Sequence, residues 1–177
     1  MDNRNVMLIS PNTVKSLGTL SLNVDDTMIG AAIRTAQEVY LKDVIGEELV
    51  ERLKELVGNK INNSGSTIDD VENTAYKVLL DDYVKQVLAS KVLIEVEVEA
   101  SLKTRNIGVV KNSDTNASFA DSKELSWLLD YHRTAYNHYL NRMAEYLCQQ
   151  KAAIPESRYD CGCGPKKKYA NINLFLG

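Results

Sequence analysis

The spacing of apolar residues predicts a chain built almost entirely of helices. Apolar positions recur every three or four residues over long stretches, the period of a helix that buries one face. The pattern predicts a short helix after Ser10-Pro11 and four longer helices at about 25–45, 47–57, 69–102 and 121–150. The buried stripes of these helices include Val39, Val71, Val98 and His132.

The ends of the helices follow from residues that satisfy free backbone groups. Asp25-Asp26 and Asp69-Asp70 stand where two helices begin, and their carboxylates can accept the free N–H groups there. We therefore interpret both pairs as caps rather than as catalytic carboxylates. Gly46 interrupts the second helix, and Gly58 is expected to end the third helix in a left-handed conformation before a polar loop at 59–67.

Two stretches depart from the helical period. Residues 94–99 alternate apolar and acidic side chains as a strand does, but they lie inside a helix-length run, so helix is preferred and strand stays the alternative. Residues 107–110 are β-type and precede the turn-forming run 111–118, which predicts a projecting arm at about 105–120. The predicted fold is all-α: a bundle of about four to five helices with a short β-type arm, in a domain 1–150, and an extended C-terminal tail, 151–177.

Composition narrows the class of protein. The chain has 177 residues, of which 44% are hydrophobic and 25% charged, as expected for one folded globular domain. A net charge of -3 disfavours general DNA binding. No apolar run is long enough for a signal peptide or a membrane span, and three cysteines do not form a disulfide framework. We expect a protein made in the cytoplasm of a cell, with no membrane partner.

Motifs that would indicate catalysis are missing from the sequence. There is no nucleophile motif with an evident base, no Gly-rich phosphate loop after a strand and no HExxH pair. Cys161 and Cys163 supply only two ligands for zinc, and a reduced glycine-rich turn is the preferred interpretation. His132 and His138 lie about 600° apart around their helix, on different faces. We therefore expect no enzyme activity, no cofactor and no metal site.

Several groups are candidates for protein contacts. The aromatic residues of the last helix spread over more than one face, so they either pack the core or form part of an interface. Glu95, Glu97 and Glu99 are a possible acidic ridge, with the basic Lys103, Arg105 and Lys111 as a complementary surface. The run 166–168 is a lysine cluster, interpreted first as solvated. The arm and the apolar tail end supply the predicted interface residues: Ile107, Val109, Val110, Tyr169, Ile172, Leu174, Phe175 and Leu176.

The order of these parts resembles a known family. The segments that carry the resemblance are ISPNTVK (9–15), NVDDTMI (23–29), AIRTAQEVY (32–40), VIGEEL (44–49), LLDDYV (79–84) and NIGVVKNSD (106–114). They resemble the head-tail connector proteins, also called adaptor or head-completion proteins, of tailed bacteriophages and prophages, particularly those from phages of Bacteroides-like hosts, including the crAss-like phages. The resemblance covers roughly residues 9–150, and its motifs are helix ends and core positions rather than chemistry.

The resemblance implies a structural role in the virion. Such proteins are helical bundles that form rings, typically of twelve copies, beneath the portal protein. The ring extends the channel for genomic DNA without reading its sequence and docks further neck or tail proteins. No catalytic residues are implied.

Two other functions stay open from the sequence. The first is a helical adaptor module that binds a protein partner outside any virion, which predicts a monomer or dimer with no affinity for a portal protein. The second is a small metal-dependent enzyme that uses the cysteines, which predicts bound zinc after purification.

Overall fold

Five helices make up the chain where the computed structural model describes it, over residues 5–18, 24–105, 108–111 and 122–159, with side chains over 5–18, 24–99 and 126–159. The helices are α1 (Pro11–Leu17), α2 (26–45), α3 (Glu47–Asn62), α4 (71–101) and α5 (Ser122–Gln149). Two strands, β1 (Leu102–Arg105) and β2 (Gly108–Lys111), pair antiparallel between α4 and α5. The predicted all-α bundle is confirmed. Of the segment predicted as an arm, residues 106–107 and 112–121 lie outside the described residues.

Local chemistry sets the start of the first two helices as predicted. Ser10 Oγ accepts a hydrogen bond from Thr13 N at 3.2 Å at the start of α1. Asp25 Oδ1 accepts from Thr27 N at 2.9 Å at the start of α2, and this contact holds the pKa of Asp25 below its usual value. Gly46 separates α2 from α3 with a φ of 96°, a conformation that favours glycine.

The predicted end of α3 is wrong. Gly58 is a buried residue inside the helix, which continues to Asn62. Asn63 provides the left-handed stop instead, with a φ of 52°. Asparagine is one of the few residues besides glycine that adopt this conformation readily, because its short polar side chain can bond locally to the backbone. The polar loop is therefore shorter than expected.

The interpretation of Asp69-Asp70 as helix caps is also wrong. Asp70 Oδ2 accepts a hydrogen bond from Thr67 N at 2.7 Å, so its carboxylate closes the preceding loop. Asp69 pairs with Lys60 at 2.6 Å and with Lys77. Helix α4 begins after them as a short 3₁₀ turn, Val71–Asn73, with no side-chain cap. These acids thus join the loop to α3 and α4.

Two π-helical turns shift the register of the long helices. They occupy Ala36–Leu41 within α2 and Leu79–Val84 within α4. In α2 the turn places Ala36 and Leu41, five residues apart, in the core, whereas Val39 is 58% exposed. The prediction that Val39 is buried is therefore wrong because one residue is inserted into the helical period. Val71 and Val98 are exposed as well.

Helix α4 is the centre of the bundle. Helices α1, α2 and α5 all pack against its Lys85–Ser101 part, whereas α2 and α5 make little contact with each other. Residues 87–90 are buried in succession, so this part of α4 is covered on more than one side. Residues 94–99 lie inside the helix, which confirms helix over the alternative of a strand. Among the described residues, no helix is long and apolar enough to cross a membrane.

A cluster of charges around one buried lysine joins α2 to α3. The ammonium of Lys54 is 1% exposed and pairs with Glu38 and, at 3.1 Å, with Glu51. Lys42 reaches both carboxylates at 2.9 Å. Burial alone would raise the pKa of Glu38, but hydrogen bonds from the two lysines and Gln37 outweigh it and lower the pKa to about 2. Each charge of this cluster therefore has an opposite partner.

The chain after α5 folds back onto the body before residue 160. Ile154 is fully buried, Tyr76 Oη donates to Glu156 Oε2 at 2.7 Å, and Arg158 N donates to Ile45 O at 3.4 Å. The first nine residues of the predicted tail are thus not extended, because an apolar residue and two polar contacts hold them against α2 and α4. The rest of the predicted tail, 160–177, lies outside the described residues.

Candidate protein interface

The outward side of α5 carries large exposed aromatic residues. Trp127 is 72% exposed and Tyr131 58% exposed, and their rings stack with centroids 6.4 Å apart. We call this surface the α5 face; its exposed residues are Ser126, Trp127, Asp130, Tyr131, Arg133, Thr134, Asn137, His138, Asn141, Arg142 and Glu145. The helix contains no lysine between Ser126 and Gln149. Protein interfaces are enriched in tryptophan, tyrosine and arginine and depleted in lysine and glutamate.

A buried histidine lies directly beneath the aromatic pair. The ring of Tyr131 meets the ring of His132 edge to face, with centroids 5.4 Å apart. His132 Nε2 lies 3.0 Å from Glu97 Oε1 of α4, and both side chains are largely shielded from water. Burial raises the pKa of Glu97, and the neighbouring His132 offsets part of that rise. The contact fixes the rotation of α5 relative to α4 and so determines which side chains face outward.

The seam between α4 and α5 also holds carboxylate oxygens without hydrogen-bond partners. Within the described part of the chain these are Glu95 Oε1 and Glu97 Oε2. Lys91 Nζ stands 3.6 Å from Glu95 Oε1, beyond hydrogen-bond distance, and 3.6 Å from the ring centroid of Tyr40. Burial raises the pKa of Glu95, and Lys91 offsets that rise in part. Unpartnered buried oxygens destabilise the ionised form of both residues.

The predicted acidic ridge is wrong. The side chains of Glu95 and Glu97 are only 17% and 15% exposed, and Glu99 alone lies at the surface. An α-helix turns by about 100° per residue, so Glu95 and Glu97 cannot share the face that they would share in a strand. The side chains of its predicted counterparts, Lys103, Arg105 and Lys111, lie outside the described ones.

The core interpretation of the aromatic group on α5 is confirmed for three of its residues, and the interface interpretation stays a prediction for the two that are exposed. Tyr136, Tyr139 and Tyr146 are partly buried against the core, and Tyr146 stacks on Tyr83 with centroids 4.6 Å apart. Trp127 and Tyr131 remain at the surface. His132 is buried whereas His138 is exposed, which confirms that the two histidines lie on different faces.

Most of the interface residues predicted from the sequence cannot be located. Val109 and Val110 lie in β2, opposite Thr104 and Lys103 of β1, but their side chains are outside the described ones. Ile107 and the five tail residues lie outside the described residues altogether, as do Cys161, Cys163 and the lysine run 166–168. The strongest described candidates are thus Trp127 and Tyr131. Their signal in the sequence is the presence of large aromatic residues beyond the buried stripe of α5.

Other described features give little sign of a chemical site. A shallow groove lies between residues 5–10 and the end of α3, lined by Ile61 and Asn62 and by Lys85, which pairs with Asp81 at 2.6 Å. No group of three or more histidine, cysteine, aspartate or glutamate side chains in the described ranges is placed to hold a metal ion. The α5 face is therefore the best candidate for function.

Comparison with known proteins adds a family but no activity. Residues 41–167 match the model of DUF6712, a family of unknown function. No curated protein and no solved structure matches the chain.

Proposed function

The chain belongs to the family DUF6712, and we propose that its function is to form, as a non-enzymatic virion subunit, a ring in the neck of a tailed bacteriophage. The ring stands between the portal protein and the tail, extends the channel for genomic DNA and docks neighbouring neck or tail proteins. The resemblance of residues 9–150 to head-tail connector proteins supports this role, and the helical bundle is the architecture that the resemblance implies.

The α5 face is the observation that carries the proposal. A solvated helix face presents mainly charged or small polar side chains to water, with apolar residues scattered singly. Trp127 and Tyr131 instead form an exposed aromatic stack. Exposed aromatic residues of this kind become the buried anchors of protein interfaces. An assembly subunit needs such a surface.

The buried ionisable groups also favour a structural role. His132 and Glu97 contact each other inside the seam between α4 and α5, and Lys54 lies within an ion cluster between α2 and α3. In both places the polar groups join two helices. Ionisable groups that hold helices together in this way fit a structural subunit.

The remaining partners of the ring belong to the same proposal. The ring holds several copies, typically twelve in connector proteins, and binds the portal protein on one side and further neck or tail proteins on the other. The arm, with Ile107, Val109 and Val110, and the apolar end of the tail, with Tyr169, Ile172, Leu174, Phe175 and Leu176, supply additional contacts to neighbours.

Light scattering after size exclusion tests the proposed function. The purified protein is measured alone and mixed with the portal protein encoded by the same genome. We expect a large complex of fixed stoichiometry with the portal protein. A monomer or dimer that does not bind the portal protein at any salt concentration would overturn the proposal. The remaining hypothesis would then be a helical adaptor module that binds another partner.

A further inference from the structure

We propose that the α5 face of one copy binds the outward face of α2 on the next copy, so that the ring closes head to tail. This inference rests on the proposed function, because it assigns the contact between neighbours within that ring. We call the acceptor surface the α2 face; its exposed residues are Thr27, Ala31, Arg34, Thr35, Val39 and Asp43.

The α2 face has the composition of a surface that a protein partner covers. It exposes no lysine and no glutamate, and it presents Val39, which is 58% exposed. Glu38 and Lys42 of the same helix are turned into the ion cluster with α3, so Asp43 is the acid that the α2 face exposes. An apolar side chain surrounded by threonine and alanine can be covered with little loss of hydration.

The π-helical turn of α2 creates this surface. Without the inserted residue, Val39 would continue the buried stripe that contains Ala32 and Ala36. With the insertion, Leu41 takes the core position and Val39 joins Arg34 on the outside. Such single π turns within α-helices are frequent at functional sites. The turn gives α2 an exposed apolar residue that the fold itself does not need.

The position of the two faces suits a ring. Helices α2 and α5 both pack against α4 and make little contact with each other, so they lie on different sides of α4. A ring in which every copy uses the same contact requires two different, complementary surfaces on each subunit. A contact of the α5 face with itself would instead give a closed dimer.

One charge of the α2 face, Arg34, can meet an opposite charge and aromatic rings on the α5 face. Arg34 is exposed and forms no ion pair within the described part of the chain. The α5 face offers Arg34 the rings of Trp127 and Tyr131, over which a guanidinium is attracted, and the carboxylate of Asp130. Asp130 is 65% exposed, and within the described ranges its ion pair is with Arg133 of its own helix at 3.0 Å. Exposed pairs of this kind are weak and can exchange partners.

Two single variants and their mixture test the contact. Trp127→Ala disables the α5 face and leaves the α2 face intact, whereas Val39→Glu does the reverse. Each variant and the wild-type protein is studied alone at high concentration and again with portal protein, by sedimentation velocity and native mass spectrometry. Ile61→Ala and Val71→Glu are matched controls, because both residues are apolar and at least 67% exposed away from the two faces. Circular dichroism confirms that each variant is folded.

We expect each variant alone to lose self-association, with a dissociation constant between copies raised at least about 30-fold, as for removal of a central aromatic anchor. The mixture of the two variants should form a one-to-one pair that does not grow further. In that pair the intact α5 face of Val39→Glu binds the intact α2 face of Trp127→Ala. The controls should assemble as the wild-type protein does.

Three results would overturn the inference. The first is wild-type self-association in Trp127→Ala. The second is loss of assembly in Trp127→Ala with Val39→Glu unaffected, which would assign the α5 face to itself or to the portal protein. The third is an absence of assembly where the contact requires it, either in the mixture of the two variants or in the wild-type protein both alone and with portal protein. If the wild-type protein binds portal protein but the contact between α2 and α5 is not found, the proposed function still holds. If the wild-type protein does not bind portal protein, the proposed function is overturned.

Discussion

Helices α3 and α5 both pack one side on the core, but they present different surfaces to water. The outward side of α3 exposes mainly charged residues that water solvates well, Glu47, Glu48, Glu55 and Lys60, together with the apolar Ile61. The outward side of α5 exposes Trp127 and Tyr131. The first surface is complete within one chain, whereas the second gains stability only when another molecule covers it.

The ionisable groups between α2 and α3 are fully paired, whereas those between α4 and α5 are not. Between α2 and α3, Lys54 lies between the carboxylates of Glu38 and Glu51. Between α4 and α5, Glu95 and Glu97 each keep an oxygen with no hydrogen-bond partner in the described part of the chain. Folded chains satisfy local rules nearly everywhere and depart from them mainly at functional or strained sites. The seam between α4 and α5 departs from these rules at two residues, Glu95 and Glu97.

The largest expected effect is a loss of stability on disrupting the ion cluster between α2 and α3. Replacing Lys54 with methionine removes the buried one of the two lysines that bridge Glu38 and Glu51, and Lys42 remains as the other bridge. Breaking a buried ion pair costs about 3–5 kcal/mol, and the partial exposure of Glu38 and Glu51 reduces this to about 2–3 kcal/mol. Urea unfolding at neutral pH measures the loss. Lys60→Met is the control, since Lys60 is 56% exposed and should cost under about 1 kcal/mol. Equal losses would contradict the burial argument.

The next effect concerns the α4–α5 seam. His132→Leu keeps an apolar body in place and removes the only partner of Glu97 among the described residues, so we expect a loss of about 1–3 kcal/mol. The same change at exposed His138 should stay within about 0.5 kcal/mol. Adding Glu97→Gln to His132→Leu should restore part of the loss, because the buried charge disappears. A double variant no more stable than His132→Leu would argue against the pairing.

Features that depend on neighbouring residues were predictable from the sequence, whereas features that depend on the packing of distant helices were not. The start of α2 at Asp25 and the break at Gly46 depend on neighbouring residues, and both were predicted correctly. The π turn that exposes Val39 depends on how α2 packs against α4, so no local pattern indicates it. The pairing of Glu97 with His132 joins residues far apart in the chain and required the fold.

The candidate site was predicted less well than the fold. The sequence placed the interface in the arm and the tail, most of which lies outside the described residues. It left Trp127 and Tyr131 between core and interface, because the helical period alone cannot tell which flank of α5 its neighbours cover. Asp69-Asp70 failed for a related reason: two acids before a helix have the pattern of a cap, and only the loop showed that Thr67 and two lysines hold them.

The ion cluster between α2 and α3 and the seam between α4 and α5 should change the stability with pH in opposite directions. The pKa of Glu38 is lowered to about 2, so its contribution to stability is present above its ordinary value near 4.5 and is lost as the pH falls toward 2. The pKa values of Glu95 and Glu97 are raised by burial. Their contribution is present below pH 4.5 and is lost as the pH rises through the raised values.

Chemical unfolding over a series of pH values separates the two contributions. Glu38→Gln should flatten the loss of stability between pH 4.5 and about 2, by about 1 kcal/mol after allowance for the exposure of this side chain. Glu95→Gln should leave that acid limb unchanged and flatten the decline above pH 4.5. Parallel pH profiles for the two variants would contradict the assignment of opposite shifts.

The smallest expected effect decides whether the α5 face is free. Trp127→Ala and Glu55→Ala should each change the free energy of unfolding of the monomer by no more than about 0.5 kcal/mol, because both side chains project from exposed helix surfaces. Urea unfolding at a concentration low enough to prevent association makes this measurement. A loss of about 2 kcal/mol or more for Trp127→Ala would mean that the indole packs within its own chain. Equal, small effects on the monomer would leave assembly as the property in which the two helices differ, since only α5 presents an aromatic surface that a neighbour can bury.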